Sequence, residues 1–202
     1  MKKLFIASNN RHKIEEFSQI FAGLPLEVTY PQKEGIDLDP EETGQTFEEN
    51  AIIKAKAFVE ATGLLTLADD SGLEIDALNG EPGVYSARYG QTAKEDHVGR
   101  YQLILQELAA LNLPDSARTA RFRCVIAITT PAGQLELAEG TIEGIITHEP
   151  IGQNGFGYDP VFFIPEFNQT MAQLAPDAKN KISHRGRAAK AAIPLIEKLL
   201  SL

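Results

Sequence analysis

The sequence predicts an α/β fold, a mixed sheet with flanking helices. Three observations carry this expectation. In the first half of the chain, short apolar runs of strand length alternate with amphipathic segments at helical spacing. Between residues 119 and 148 the apolar period falls to two, as in a half-buried pair of strands. Helical spacing then returns near the end. With 202 residues, 43% hydrophobic and 23% charged, the chain suits one substantial globular domain or two small lobes.

Residues 3–7 form a short apolar strand pattern, and Asn9 and Asn10 behind it are good helix caps. Ile14, Phe17, Ile20 and Phe21 then make one helical face, closed by Gly23 and Pro25. Residues 26–30 look like a second strand. Residues 31–45, polar, acidic and rich in turn formers, read as a loop. Thr46, with Glu49 three residues on, is a capping box. It opens a helix with Phe47, Ala51, Ala55, Phe58 and Val59 on one face, stopping at Gly63. Residues 64–68 read as a buried strand and residues 69–90 as a loop-rich stretch. Val98, Tyr101, Leu105 and Leu108 mark another helix.

In the period-two region Phe122, Cys124, Ile126 and Ile128 face one way while Arg121 and Arg123 face the other. A turn at Pro131, Ala132 and Gly133 leads to a second run over 135–147, which together give a long hairpin. Residues 150–160 are a glycine-rich loop and 161–164 one more strand. The chain is helical from about Arg185, with Pro194 expected to kink the helix or break it in two.

Charge excludes some partners. Lysine and arginine number 19 against 28 aspartates and glutamates, a net charge of −9. Such a chain is a poor ligand for nucleic acid or an anionic membrane, although a local basic cluster can still hold a small anion. No apolar run approaches the roughly 18 residues that span a bilayer. The apolar stretch 4–7 is too short for the core of a signal peptide, which takes about 7–15 residues. The expected location is the cytoplasm. The single cysteine, Cys124, lies in the apolar run FRCVIAI and reads as a buried core thiol. His12, His97 and His148 lack metal-ligand spacing and read as structural.

Several segments carry chemistry as well as structure. Ser8, Asn9, Asn10, Arg11, His12 and Lys13 lie between the first strand and the first helix, where backbone amides and a first-turn lysine attract phosphate. Asp69 and Asp70 follow an apolar strand, a place for a magnesium ligand or a general base; adjacent strand residues point to opposite sides, so one of the two enters a given site. Glu41 and Glu42 could supply a further carboxylate. Lys54, one helical turn after Asn50, borders the apolar helix face. In GQNGFGYDP, residues 152–160, three glycines allow close approach of a ligand, Phe156 and Tyr158 offer flat faces to a base, and Asp159 offers an acceptor. Residues 179–187, KNKISHRGR, form the strongest basic cluster.

Taken together, SNNRHK, TFEENAIIKAKA, ADDSGLEIDALNGEPGVYSARYG, GFGYDPVF and KNKISHRG resemble the inosine/xanthosine triphosphate pyrophosphatase family, in the same order and over nearly the whole chain. The resemblance implies one elongated α/β domain, 1–202, of two lobes around a central cleft, and a homodimer. It implies Mg²⁺-dependent hydrolysis of ITP, dITP and XTP to the monophosphate and pyrophosphate. It places Glu41 and Asp70 as metal carboxylates, with Asp70 also the general base. Ser8 to Lys13 in turn, Lys54 and Ser71 become substrate contacts. Phe156, Gly157, Tyr158, Asp159, Lys179, His184 and Arg185 become the residues that recognise the base. Two alternatives stay open: a pyrophosphatase for another modified nucleotide, and a nucleotide sensor without turnover.

Overall fold

The structure, a computed structural model, describes residues 2–93 and 95–201. Strand β1 (Lys2–Ile6) pairs in parallel with β2 (Leu26–Thr29) and with β3 (Leu65–Ile75). Parallel strands need cover on both faces, and the alternation of β1 divides that cover. Leu4 and Ile6 join the core built by Ile14 and Phe17 of α1 (Arg11–Ile20) and by Ala188, Ala189, Ala192 and Ile196 of α6 (His184–Leu200). Phe5 instead meets Phe58 of α3 (Phe47–Thr62), ring centroids 5.5 Å apart. The cap of α3 is as expected at Thr46, whose Oγ1 accepts the Glu49 N–H at 3.1 Å; the Glu49 carboxylate reaches one residue further back, to the amide of Gln45 at 2.6 Å.

The remaining elements are α2 (Pro31–Glu34), α4 (His97–Ala110), β4 (Thr119–Thr129), β5 (Leu135–Ile146), β6 (Phe162–Ile164), β7 (Gln169–Thr170) and α5 (Pro176–Ile182), with short 3₁₀ turns between them. Strand order is β2-β1-β3-β4-β5-β6-β7, parallel at its start and antiparallel where β5, β6 and β7 pair, so the sheet is mixed as expected. The chain packs as two compact units. One takes Met1–Asp70, Cys124–Gly140 and His184–Leu202; the other takes Ser71–Arg123 and Thr141–Ser183. Each has its own core, the second built on Leu73, Ile75, Ile104, Phe122, Phe162 and their neighbours.

Two expectations need correction, one alternative closes and two elements are new. The region 31–45 is not all loop: Pro31 at the first helical position and Gly35 in a left-handed cap frame the single turn α2. Strand β3 does not stop at residue 68 but runs through both aspartates to Ile75, because Leu73 and Ile75 are fully buried and continue the alternation. Of the two outcomes expected at Pro194 the break does not occur; one helix runs from His184 to Leu200 with the proline inside it. Helix α5 and strand β7 are elements that the sequence pattern did not signal.

Candidate active site

In the first unit the loop after β1 delivers Lys13. Asn10 caps α1, its Oδ1 accepting the amides of His12 at 3.0 Å and Lys13 at 3.3 Å. The Asn10 amide donates to Ser8 Oγ at 3.2 Å, and the Ser8 amide donates to the Ile6 carbonyl at 3.0 Å. These two amides are thus engaged within the chain. Asn9 Nδ2 donates to the Leu38 carbonyl at 2.9 Å and ties this loop to residues 38–39. Arg11 and His12 are exposed, and Arg11 pairs with Glu15 at 2.8 Å.

Asp69 and Asp70 then divide the strand's two sides. Lys13 Nζ lies 2.8 Å from Asp69 Oδ2. Arg185 Nε is 3.7 Å from the same oxygen and its Nη1 pairs with Glu16. The Cys124 thiol is 3.8 Å away. Burial alone would raise the Asp69 pKa, but Lys13, Arg185 and Lys54 outweigh it and hold the carboxyl well below the usual carboxylate range. Burial, helped by the neighbouring carboxylate, pushes the Cys124 thiol up, so it stays a protonated core thiol as expected. Gly140 keeps α6 close: a Cβ there would collide with the helix backbone at His184 and Ala188.

Asp70 faces the other set. Its Oδ2 accepts from Asn50 Nδ2 at 3.0 Å and its Oδ1 is 3.7 Å from Lys54 Nζ. Lys54 also pairs with Glu42 at 2.5 Å. Burial raises the Asp70 pKa above its ordinary value; Lys54 and Lys13 lower it in part, while Glu42 adds to the rise. Burial disfavours the Lys54 ammonium, yet Asp70, Asp69 and Glu42 outweigh this and raise its pKa. Asn50 was legible only as a polar residue near an apolar face. It proves wholly buried, its Oδ1 accepting the Gly44 amide at 2.8 Å while Nδ2 serves Asp70. Glu41 is exposed; of the neighbouring glutamates, Glu42 makes the contact with Lys54.

Among the described residues no group of three or more His, Cys, Asp or Glu side chains is gathered as a metal cage. The donor chemistry still suits a hard cation held partly by a ligand. Glu42 adds to the raised proton affinity of Asp70 while both carboxylates face one lysine, a like-charge arrangement that a divalent ion relieves.

In the second unit the loop 150–160 is built around Asp159. Its Oδ2 accepts the Phe156 amide at 2.9 Å and the Lys179 ammonium at 2.6 Å; both side chains of the ion pair are 5% exposed. Lys179 Nζ also sits 4.8 Å from the Phe156 ring centroid, a cation over an aromatic face. Gly155, at φ +75°, has no room for a Cβ beside Asp159 and Lys179, and Gly157 also needs positive φ. Tyr158 is buried and its hydroxyl donates to the Ser86 carbonyl at 2.7 Å, so it braces the loop. Ser71 is half-buried on β3 at the start of this unit. His184 and Arg185 begin α6 in the first unit, and both are buried.

A mixed α/β sheet carrying a buried aspartate of raised proton affinity beside a lysine marks a candidate acid–base site of the class that handles anionic substrates. The comparisons narrow that class. The chain belongs to the Ham1 family, whose model matches residues 4–195. A dITP/XTP pyrophosphatase of Desulforamulus reducens is 47% identical over 198 residues, 98% of this chain and 96% of that protein. The dITP/XTP pyrophosphatase of Bacillus subtilis is 45% identical over 197 residues, 98% of each chain. Among solved structures, a HAM1 protein from Coxiella burnetii superimposes with a TM-score of 0.85 at 42% identity, covering 100% of this chain and 99% of its own.

Proposed function

We propose that the chain hydrolyses deaminated purine nucleoside triphosphates, ITP, dITP and XTP, to the nucleoside monophosphate and pyrophosphate. The observation that carries the chemistry is the Asp70 carboxylate, buried, raised in proton affinity and set beside Lys54. The substrate class is supported by relatives of that printed activity, alike over almost the full length.

Lys13 and Lys54 neutralise part of the triphosphate charge, as preorganised cations in a buried setting do well. Asp69, itself beside Arg185, holds Lys13 in place. Asp70 accepts the proton of a water whose oxygen bonds to one phosphorus of the α–β linkage. The bridging P–O bond breaks and its electron pair leaves with the departing phosphate group. Asp70 and a glutamate of the 41–42 pair would hold Mg²⁺, which when bound supplies charge neutralisation on the phosphate oxygens. Phe156 stacks on the purine, while Lys179, through Asp159, fixes that ring. His184 keeps the base-side role that the family resemblance implies.

A homodimer in the cytoplasm completes the reading. Tyr85, Val98 and Ile151 are exposed apolar side chains that a second copy could cover. No helix of the described residues is long and apolar enough to cross a membrane. The test is pyrophosphate release from ITP, XTP, dITP, GTP and ATP, with and without Mg²⁺. Release that is fastest with ITP, dITP and XTP and dependent on Mg²⁺ supports the reading; equal rates on all five, or none, refute it.

A further inference from the structure

Asn50 lies in the first turn of α3, where its backbone amide donates to the Thr46 carbonyl at 3.2 Å. Lys54 stands one turn further along, so the two side chains are neighbours on one helix face. Both bridge the same two segments. Asn50 Oδ1 accepts the Gly44 amide at 2.8 Å, and its Nδ2 donates to Asp70 Oδ2 at 3.0 Å. Lys54 Nζ lies 2.5 Å from Glu42 and 3.7 Å from Asp70 Oδ1. Loop, helix and strand thus close a ring of Gly44, Asn50, Asp70, Lys54 and Glu42, all within the first unit. The ring is tight on the loop side: a Cβ on Gly44 would stand 2.6 Å from Glu49 Cβ and 2.7 Å from Asn50 Oδ1.

The position demands a donor and an acceptor at once. An ionised carboxylate accepts only, and a peptide N–H donates only. The side-chain amide of asparagine or glutamine offers both from one planar group, and glutamine is longer by a methylene in a site that is 0% exposed. At such burial each lost hydrogen bond leaves a polar group short of a partner, which holds the arrangement firmly. The consequence for Asp70 is orientation. With Oδ2 tied to Asn50 and Oδ1 facing Lys54, a partial turn of the carboxylate about its Cβ–Cγ bond breaks the hydrogen bond. A general base must hold its lone pair along the line of the proton it takes, and small misplacements are costly. We infer that Asn50 is a positioning residue for the hydrolysis: its amide fixes the carboxylate plane of Asp70 and, through Gly44, seats the loop that carries Glu42. The inference rests on the reading of Asp70 as the base. Asn50 takes no proton itself and acts through Asp70. In sequence it is one more polar residue beside an apolar face, because Gly44 and Asp70 reach it only on folding.

The test is a double-mutant cycle. kcat and KM for ITP with Mg²⁺ are measured in the unmodified protein, Asn50→Ala, Asp70→Asn and the double variant. Asn50→Ala should lower kcat about tenfold or more, as loss of alignment does, and hold KM within about threefold. In the Asp70→Asn background the same change should cost less than about twofold, because residues that act as one unit are not additive. An equal loss in both backgrounds, or an unchanged kcat in Asn50→Ala, overturns the inference. Near-normal turnover of Asp70→Asn removes Asp70 as the base, and with it the reading on which the inference rests. NMR of the Asn50 side-chain amide in the metal-free protein gives a second measurement that does not depend on Asn50→Ala folding. Its protons should exchange with solvent far more slowly than those of the exposed Asn112, and one of them should move upfield when Asp70→Asn neutralises its acceptor. Fast exchange, or no movement in Asp70→Asn, overturns the inference.

Discussion

Asp69 and Asp70 are neighbours in β3, yet each answers to a different lysine. Asp69 Oδ2 lies 2.8 Å from Lys13 Nζ, while Asp70 Oδ1 lies 3.7 Å from Lys54 Nζ. The pleat sends consecutive side chains to opposite faces, and a helix on each face supplies the cation. Asp69 ends as a tightly paired anchor whose carboxyl stays ionised. Asp70, with a looser cation and a glutamate nearby, binds its proton more readily. The opposite shifts of the two carboxyls follow from this one geometric fact.

Asp70→Asn should fold normally and lose at least about a hundredfold in kcat, the lower range for removal of a general base. Thermal melting and pyrophosphate release, measured together, check this. Near-normal turnover would remove Asp70 from the reaction.

The proton affinity of Asp70 should respond to Lys54. Burial raises the Asp70 pKa and Lys54 is the largest influence lowering it. Lys54→Ala should therefore move it further up, keeping the carboxyl protonated to higher pH and shifting the loss of the base toward neutrality. A ¹³C carboxyl titration of the metal-free protein reads the shift directly. A downward shift would mean that the Lys54 ammonium does not stabilise the ionised carboxylate.

Asp69 should stabilise the fold across most of the pH range. Its folded pKa lies below the unfolded value of about 3.9, so its contribution is present above that value and fades as pH falls toward the folded pKa. Asp69→Ala leaves Lys13 and Arg185 short of a buried partner and should cost about 3–5 kcal/mol near neutral pH. Urea unfolding of both proteins at several pH values tests the magnitude and the narrowing of the gap in acid.

Lys13→Ala and Lys54→Ala should weaken ITP, XTP, GTP and ATP by similar factors, since a phosphate contact is blind to the base. A tenfold change in the ITP/GTP ratio, about 1.4 kcal/mol, would show that a lysine reads the base instead.

Gly155→Ala should disturb the loop that presents Phe156. Positive φ costs an L-residue about 1–2 kcal/mol, and the added methyl meets Asp159 and Lys179. The expected result is a rise in KM for every nucleotide with the ranking preserved. Unchanged KM values would mean that the loop adjusts without consequence to the base.

The sequence by itself determined the regular elements whose signal is local. The Thr46 cap, the stop at Gly63 and the two-residue period of β4 each depend on neighbours within a few positions, so they are written in the chain. The ordered motifs also determined the family and the set of residues to inspect. Tertiary structure alone decided what those residues touch. Strand β3 continues through two aspartates because Leu73 and Ile75 find a core beyond them, a fact no window around residue 69 contains. Glu42 rather than Glu41 reaches Lys54 because loop 38–46 is fixed from outside itself, by Asn9 on Leu38 and Asn50 on Gly44. Arg185 reads in sequence as one more cation in a basic cluster. In the fold it is buried against Glu16, 169 positions away, because a buried guanidinium needs polar partners, and only chain folding brings this carboxylate there.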